Sequence, residues 1–150
     1  MYNYKALCSA KKYGYRSGLE KVVFASLKER KCSAEYECLK IEWEDLAYRT
    51  YTPDFLLPNG ILIETKGRFT PADRRKHLEI KKQHPKLDIR FVFTNSRSKL
   101  RKGSKTTYAD WCDKHGFMYV DKDVPDDWIK ERKKKAPLPF VKVPFKKIKR

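Results

Sequence analysis

Residues 51–66 constrain the fold more than any other stretch. Two extended runs, residues 51–57 and 61–66, carry Tyr51, Phe55, Ile61 and Ile63, side chains suited to a pleated, half-buried surface. Between them stand Pro58, Asn59 and Gly60, which interrupt a strand and supply a left-handed turn position. A β-hairpin is therefore predicted, and the length of its loop decides which residues face each other. A two-residue loop of Asn59 and Gly60 pairs Leu57 with Leu62 and sets Asp54 opposite Thr65. A three-residue loop with Gly60 left-handed sets Asp54 opposite Glu64, with Cβ atoms about 5 Å apart. Period two puts Glu64 and Lys66 on one face and Thr65 on the other. Only the three-residue loop gathers Asp54, Glu64 and Lys66 on one side.

Two carboxylates at that separation repel unless something neutralises them. A divalent cation with oxygen ligands does so while both remain ionised. Such an ion polarises a phosphate oxygen and activates water. Lys66 then either stabilises charge building on the phosphate or helps to position and deprotonate the water. The competing reading is structural: a cross-strand salt bridge with Asp54 as a turn acid. Pro53 before Asp54, one residue between Glu64 and Lys66, and the basic surroundings favour phosphodiester hydrolysis.

The net charge of +17 arises from 36 Lys and Arg against 19 Asp and Glu, and it is segregated. Residues 65–105 hold fourteen basic side chains against three acidic, residues 130–150 ten against one, and residues 1–18 four against none. Residues 19–64 and 106–129 are net acidic. Basic blocks of this kind attract polyanions by releasing condensed counterions, with little sequence preference. Lys12 and Arg16, with Arg68, Arg74, Arg75, Lys76, His77, Arg97, Lys99 and Lys102, are the candidate DNA contacts.

Several classes of function fall away. No stretch approaches the roughly 20 apolar residues of a membrane span, and residues 1–5 lack the apolar core of a signal peptide, so a cytosolic protein with no membrane partner is expected. No Gly-rich phosphate loop is present, which argues against ATP. Cys8, Cys32, Cys38 and Cys112 match no zinc pattern and are expected as reduced thiols. His77, His84 and His115 have no metal-ligand spacing to one another; His84, before Pro85, fits a helix end where an imidazolium favours the dipole. Trp43, Trp111 and Trp128 read as core or edge aromatics.

The chain divides into a basic arm (1–16), a single domain (17–129) and a basic, Pro-interrupted tail (130–150). Ser17 and Glu20 fit a capping box opening a helix to about residue 31. Leu39, Ile41 and Trp43 alternate as a strand, followed by an irregular stretch at 45–47 and then the hairpin. Thr70, Pro71 and Asp73 open a basic helix that stops before Pro85. Residues 87–93 alternate again as a strand, 94–105 form a basic loop, 107–115 a short helix ended by Gly116, and 117–120 a last strand. The expectation is an α+β domain: a mixed sheet flanked by helices.

Pro53 and Asp54 with Glu64, Thr65 and Lys66 resemble the signature of the PD-(D/E)xK nuclease superfamily. The likeness is closer to the phage endonuclease I family of short-tailed bacterial viruses. It is carried by Arg16-Ser17-Gly18-Leu19-Glu20, by residues 51–61, by Glu64-Thr65-Lys66-Gly67, by Arg75-Lys76-His77-Leu78, and by residues 83–85 and 87–90. The resemblance runs from about Arg16 to Ile129. It implies a restriction-endonuclease-like core and a Mg²⁺-dependent endonuclease, with Mn²⁺ substituting. The enzyme would cut four-way (Holliday) junctions and other branched DNA in the infected bacterial cell. By position it implies an active site of Glu20, Asp54, Glu64 and Lys66, with metal held by Asp54, Glu64 and the carbonyl of Thr65, and a second ion reached by Glu20. It further implies a homodimer whose subunits exchange the first helix and strand, so that Glu20 joins the other three across the dimer. On the residues alone, Glu20 reads first as the capping glutamate of its helix, and the resemblance reverses that. Two other readings remain at this level: a non-catalytic nucleic-acid-binding protein with a structural hairpin, and a sequence-specific restriction-type nuclease.

Overall fold

The computed structural model describes residues 18–45, 47–132 and 141–142. The elements run α1 (Gly18–Glu29), β1 (Glu35–Tyr36), β2 (Leu39–Asp45), β3 (Ala47–Tyr51), β4 (Phe55–Leu56), β5 (Leu62–Lys66), α2 (Pro71–Gln83), β6 (Ile89–Phe93), α3 (Tyr108–His115), β7 (Met118–Asp121), α4 (Asp126–Lys130) and β8 (Val141–Lys142). They form a five-stranded mixed sheet, ordered β1-β4-β5-β6-β7, and a smaller sheet, β3-β2-β8. The expected mixed sheet flanked by helices is what forms. None of the described helices is long and apolar enough to cross a membrane.

The hairpin adopts the three-residue loop. Phe55 pairs with Ile63 and Leu56 with Leu62, and the Leu57 N–H donates to the Ile61 carbonyl at 2.9 Å. Gly60 takes φ 92°, a left-handed value that a side chain would strain. The run read as one strand, residues 51–57, is in fact divided. Tyr51 ends β3, which pairs with β2, while Phe55 begins β4 in the other sheet. Pro53, which has no N–H for a ladder, lies in the break. At the stretch expected to be irregular, β2 and β3 pair to their ends, with Asp45 opposite Ala47, and residue 46 lies outside the described residues.

Two apolar layers cover the two faces of the central strands. On one face Leu62, Phe91 and Phe93 meet Ile80 of α2, Trp111 of α3, and Ile41 and Trp43 of β2. On the other, Ile63 and Val92 meet Val23 and Leu27 of α1 and Trp128 of α4. The three tryptophans are thus core residues, and Cys32, Cys38 and Cys112 are free thiols. Helix α2 begins where expected: the Thr70 hydroxyl accepts from the Asp73 N–H, and the Asp73 side chain accepts from the Thr70 N–H. At its other end the Gln83 amide exchanges two hydrogen bonds with the backbone of Glu44, and His84 Nε2 donates to the Glu42 carbonyl at 2.7 Å. Those contacts fasten the small sheet to α2. Helix α3 is capped by Thr107, whose hydroxyl accepts from the Asp110 N–H, and ends as expected at Gly116, left-handed with φ 72°. Helix α4, five residues long, has no counterpart in the sequence reading.

Candidate active site

The cleft lies where α1, the end of β3, the strand break and the end of β5 converge. It has a volume of about 380 Å³, and its walls include Glu20, Asp54, Glu64, Thr65, Lys66 and Lys76. All four expected active-site residues therefore line one cavity. They come from three separate parts of the chain, and each reaches it for a local reason.

Asp54 sits in the break between β3 and β4, one residue before the ladder to β5 begins. Its Oδ2 accepts from both the N–H and the hydroxyl of Thr65, each at 2.8 Å. Glu64 projects from β5 with each oxygen engaged. Oε2 accepts from the Tyr51 hydroxyl at 2.7 Å, and Oε1 lies 3.3 Å from the Lys66 ammonium. Lys66 is also 3.3 Å from Asp73 Oδ1. Glu20 is only 5 % exposed and accepts from the Tyr36 hydroxyl at 2.6 Å, so its carboxylate is turned toward the sheet as well as standing in the first turn of α1. Ser17, the other half of the expected capping box, lies outside the described residues.

The carboxyls of the cleft press on one another. Burial pushes the Asp54 carboxyl up to about 8, and the charges of Glu64 and Glu20 add to that against the relief given by Thr65. Burial would lower Lys66, but Glu64 and Asp73 overcome it and hold the ammonium above its ordinary value. Asp73 is held low by Lys66 and Thr70 despite its partial burial. The Tyr51 hydroxyl is raised by burial and then by Glu64, so it serves as a donor. Lys66 is thereby shared between Glu64 and Asp73, and Lys76 stands on the same wall as Glu20, Asp54 and Glu64. Among the described residues no group of three or more His, Cys, Asp or Glu side chains is assembled to hold a metal. The donors within reach are oxygens, and the crowded carboxylates suit a hard divalent cation.

The structure corrects one expected DNA contact. His77 is 0 % exposed, wedged edge-on against Tyr51 and Phe91, with Nδ1 donating to the Asp73 carbonyl at 2.9 Å. Burial lowers its pKa to about 4, so it stays neutral and cannot meet a phosphate. Arg68, Arg75, Arg97, Lys99 and Lys102 are exposed, and Arg74 is half-buried with a hydrogen bond to the Phe69 carbonyl. Lys76 lies over the Tyr51 ring, 5.4 Å from its centre, and faces the cleft itself. Lys12 and Arg16 lie outside the described residues. Glu20 reaches the cleft of its own chain, so the site closes here without exchange of α1.

The sequence reading did not find Tyr36, Tyr51 or Asp73 as partners of the site. Tyr51 was hidden by the undivided strand, and Tyr36 by a two-residue strand too short to show a period. Asp73 was recognised only as a helix cap.

Comparison with known proteins converges on one family. The model of the family described as phage endonuclease I matches residues 1–149. Endonuclease I of Escherichia phage T7 is 51% identical over 129 residues, covering 85% of this chain and 87% of that protein. Endodeoxyribonuclease 1 of Enterobacteria phage T3 is 49% identical over 136 residues, covering 90% and 89%. The chain belongs to the phage endonuclease I family.

Proposed function

We propose, from that membership and from the three carboxyl side chains gathered with Lys66 in one cleft, that the protein is a Mg²⁺-dependent DNA endonuclease selective for four-way junctions and other branched DNA. The observation that carries the metal requirement is the convergence of Glu20, Asp54 and Glu64 on one cleft, where burial and the charge of Glu64 raise the Asp54 carboxyl. Asp54, Glu64 and the carbonyl of Thr65 would hold the ion, and Glu20 would reach a second. When bound, Mg²⁺ supplies charge neutralisation and Lewis acidity at the phosphate, and Mn²⁺ would substitute for it. The chain's own residues do the rest. Tyr51 and Lys66 fix the two oxygens of Glu64, Thr65 fixes Asp54, and Tyr36 fixes Glu20. The Lys66 ammonium stabilises negative charge developing on the phosphate. Lys76 adds a second cation on the same wall.

Resolution of a junction requires two cuts in symmetric relation, and one chain carries one cleft. A two-fold homodimer supplies the second. If α1 is exchanged, Glu20 would make in the partner's cleft the contacts it makes here in its own. Mixed dimers of Glu20→Ala and Glu64→Gln chains should then nick one strand of a junction.

The deciding experiment compares a synthetic four-way junction with its constituent duplex, in competitor DNA, with Mg²⁺ and then with EDTA. Paired, Mg²⁺-dependent incisions at the junction are expected. Binding without incision would identify a non-catalytic nucleic-acid-binding protein, and equal cutting of duplex at a fixed sequence a restriction-type nuclease.

A further inference from the structure

Asp73 divides its two oxygens between two tasks. Oδ2 accepts from the N–H and hydroxyl of Thr70, at 3.0 and 2.9 Å, and so closes the cap of α2. Oδ1 accepts from the Lys66 ammonium at 3.3 Å. The cap itself is firmly placed. Phe69, one residue before Thr70, is 1 % exposed among Phe91, Phe93, Tyr108 and Trp111, and its N–H donates to the Tyr108 hydroxyl at 3.2 Å. Arg74 closes on the Phe69 carbonyl at 2.7 Å. The N-terminus of α2 is thus a fixed point in the core, and Asp73 carries that fixity to a side chain with four rotatable bonds.

The ammonium of Lys66 has three N–H donors. Among the described residues one faces Glu64 and one faces Asp73, which leaves the third for the cleft that Lys66 lines. Glu64 alone fixes one direction and lets the ammonium swing about it. Two anchors on different elements, β5 and α2, set where the remaining donor points. We propose that Asp73 is a positioning residue, holding Lys66 by the capping box of α2 so that its free N–H meets the phosphate under attack. This rests on the reading of the cleft as a nuclease centre.

Two variants separate position from structure. In Asp73→Asn the amide oxygen can keep the Thr70 contacts while its NH₂ faces the ammonium, so the cap survives and the tether is lost. In Thr70→Ala the cap is weakened and the tether remains. Single-turnover cleavage of a four-way junction is measured in Mg²⁺, with junction affinity in EDTA, melting temperature, and the ammonium signals of ¹⁵N-lysine-labelled protein. Asp73→Asn should lower the cleavage rate about 100-fold, the scale of a misplaced reacting group, with affinity within twofold of wild type. Its Lys66 signal, identified by its absence in Lys66→Ala, should vanish through fast exchange with water. Thr70→Ala should melt earlier yet keep that signal and cut within threefold of wild type. The positioning role is overturned if Asp73→Asn cuts within threefold of wild type, if both variants lose rate equally, or if the Lys66 signal survives in Asp73→Asn. Lys66→Ala cutting at the wild-type rate would instead strike the nuclease-centre reading. An inactive Lys66→Ala beside a fully active Asp73→Asn would strike the positioning role alone.

Discussion

Buried charge appears twice on neighbouring strands of the same sheet, with opposite outcomes. Arg90 on β6 is 2 % exposed and stands beside Ile63 of β5, one residue from Glu64. Its guanidinium makes paired hydrogen bonds to Asp88, at 2.9 and 2.8 Å, and to Glu131, at 2.6 and 2.8 Å, and lies over the Trp128 ring. Planar and forked, it fits two carboxylates at once. Across the sheet Glu20, Asp54 and Glu64 share a cleft with Lys66, which is also claimed by Asp73. The first cluster is complete and ties the segment after α4 to the sheet, helped by Asn59 donating to the Trp128 carbonyl at 2.7 Å. In the second, burial and the charges of Glu64 and Glu20 press on Asp54, while Lys66 is divided between Glu64 and Asp73. Buried charge met by a fitted partner is architecture; carboxyls pressed together in a cleft mark the proposed reacting centre.

The largest effect should come from breaking the two clusters in turn. Asp54→Asn or Glu64→Gln should lower junction cleavage by about 10³-fold or more while leaving junction binding intact, because the change removes charge from the centre and not from the basic surface. Arg90→Met should leave the cleavage rate per folded molecule unchanged and cost about 2–3 kcal/mol in urea unfolding, the partners being partly solvated. A stable Arg90→Met protein that cannot cut, or an active Asp54→Asn, would erase the distinction.

A middle-sized effect concerns stability. Asp54 titrates near 8 in the folded protein and near 4 when unfolded, so the folded state holds its proton more tightly. Stability should therefore fall as pH rises from about 4 to 8 in EDTA. Asn carries no such penalty. Asp54→Asn should be more stable than wild type at pH 8 by on the order of 1–3 kcal/mol, less than the full shift because the neighbouring carboxylates titrate together. The gain should shrink toward pH 4. Denaturation at the two pH values checks this, and a variant less stable at pH 8 would contradict it.

The smallest effect should come from the basic blocks of the sequence, whose charge acts through phosphate. Removing residues 136–150, which contain five Lys or Arg, should make the log–log salt dependence of junction affinity shallower by about 2–4 and leave the cleavage rate at saturation unchanged. An unchanged slope would show that the tail does not engage DNA.

Local chemistry was what the sequence made legible. Pro58, Asn59 and Gly60 marked the hairpin loop and narrowed its register to two, of which the three-residue loop forms, and Thr70, Pro71 and Asp73 marked the start of α2. Contacts between distant segments were not legible. Arg90 alternates with Ile89 and Phe91 and so reads as an outward polar residue, but its strand is covered on both faces and the guanidinium is buried. His77 reads as a member of a basic helix, yet it falls on the face of α2 turned to Tyr51 and Phe91. Asp73 shows its cap in the sequence and hides its bond to Lys66, because a capping box is complete without a second partner.

The central claim is that the crowded carboxyls of the cleft take up a divalent cation. Calorimetric titration of the protein with Mg²⁺ at pH 7, in two buffers of different ionisation enthalpy, tests it most directly. Wild type and Arg90→Met should bind saturably and release about one proton per chain, the proton that Asp54 carries before the ion arrives. Asp54→Asn should bind weakly and release none. Absence of saturable binding in the wild type, or binding with no proton released, would contradict the account.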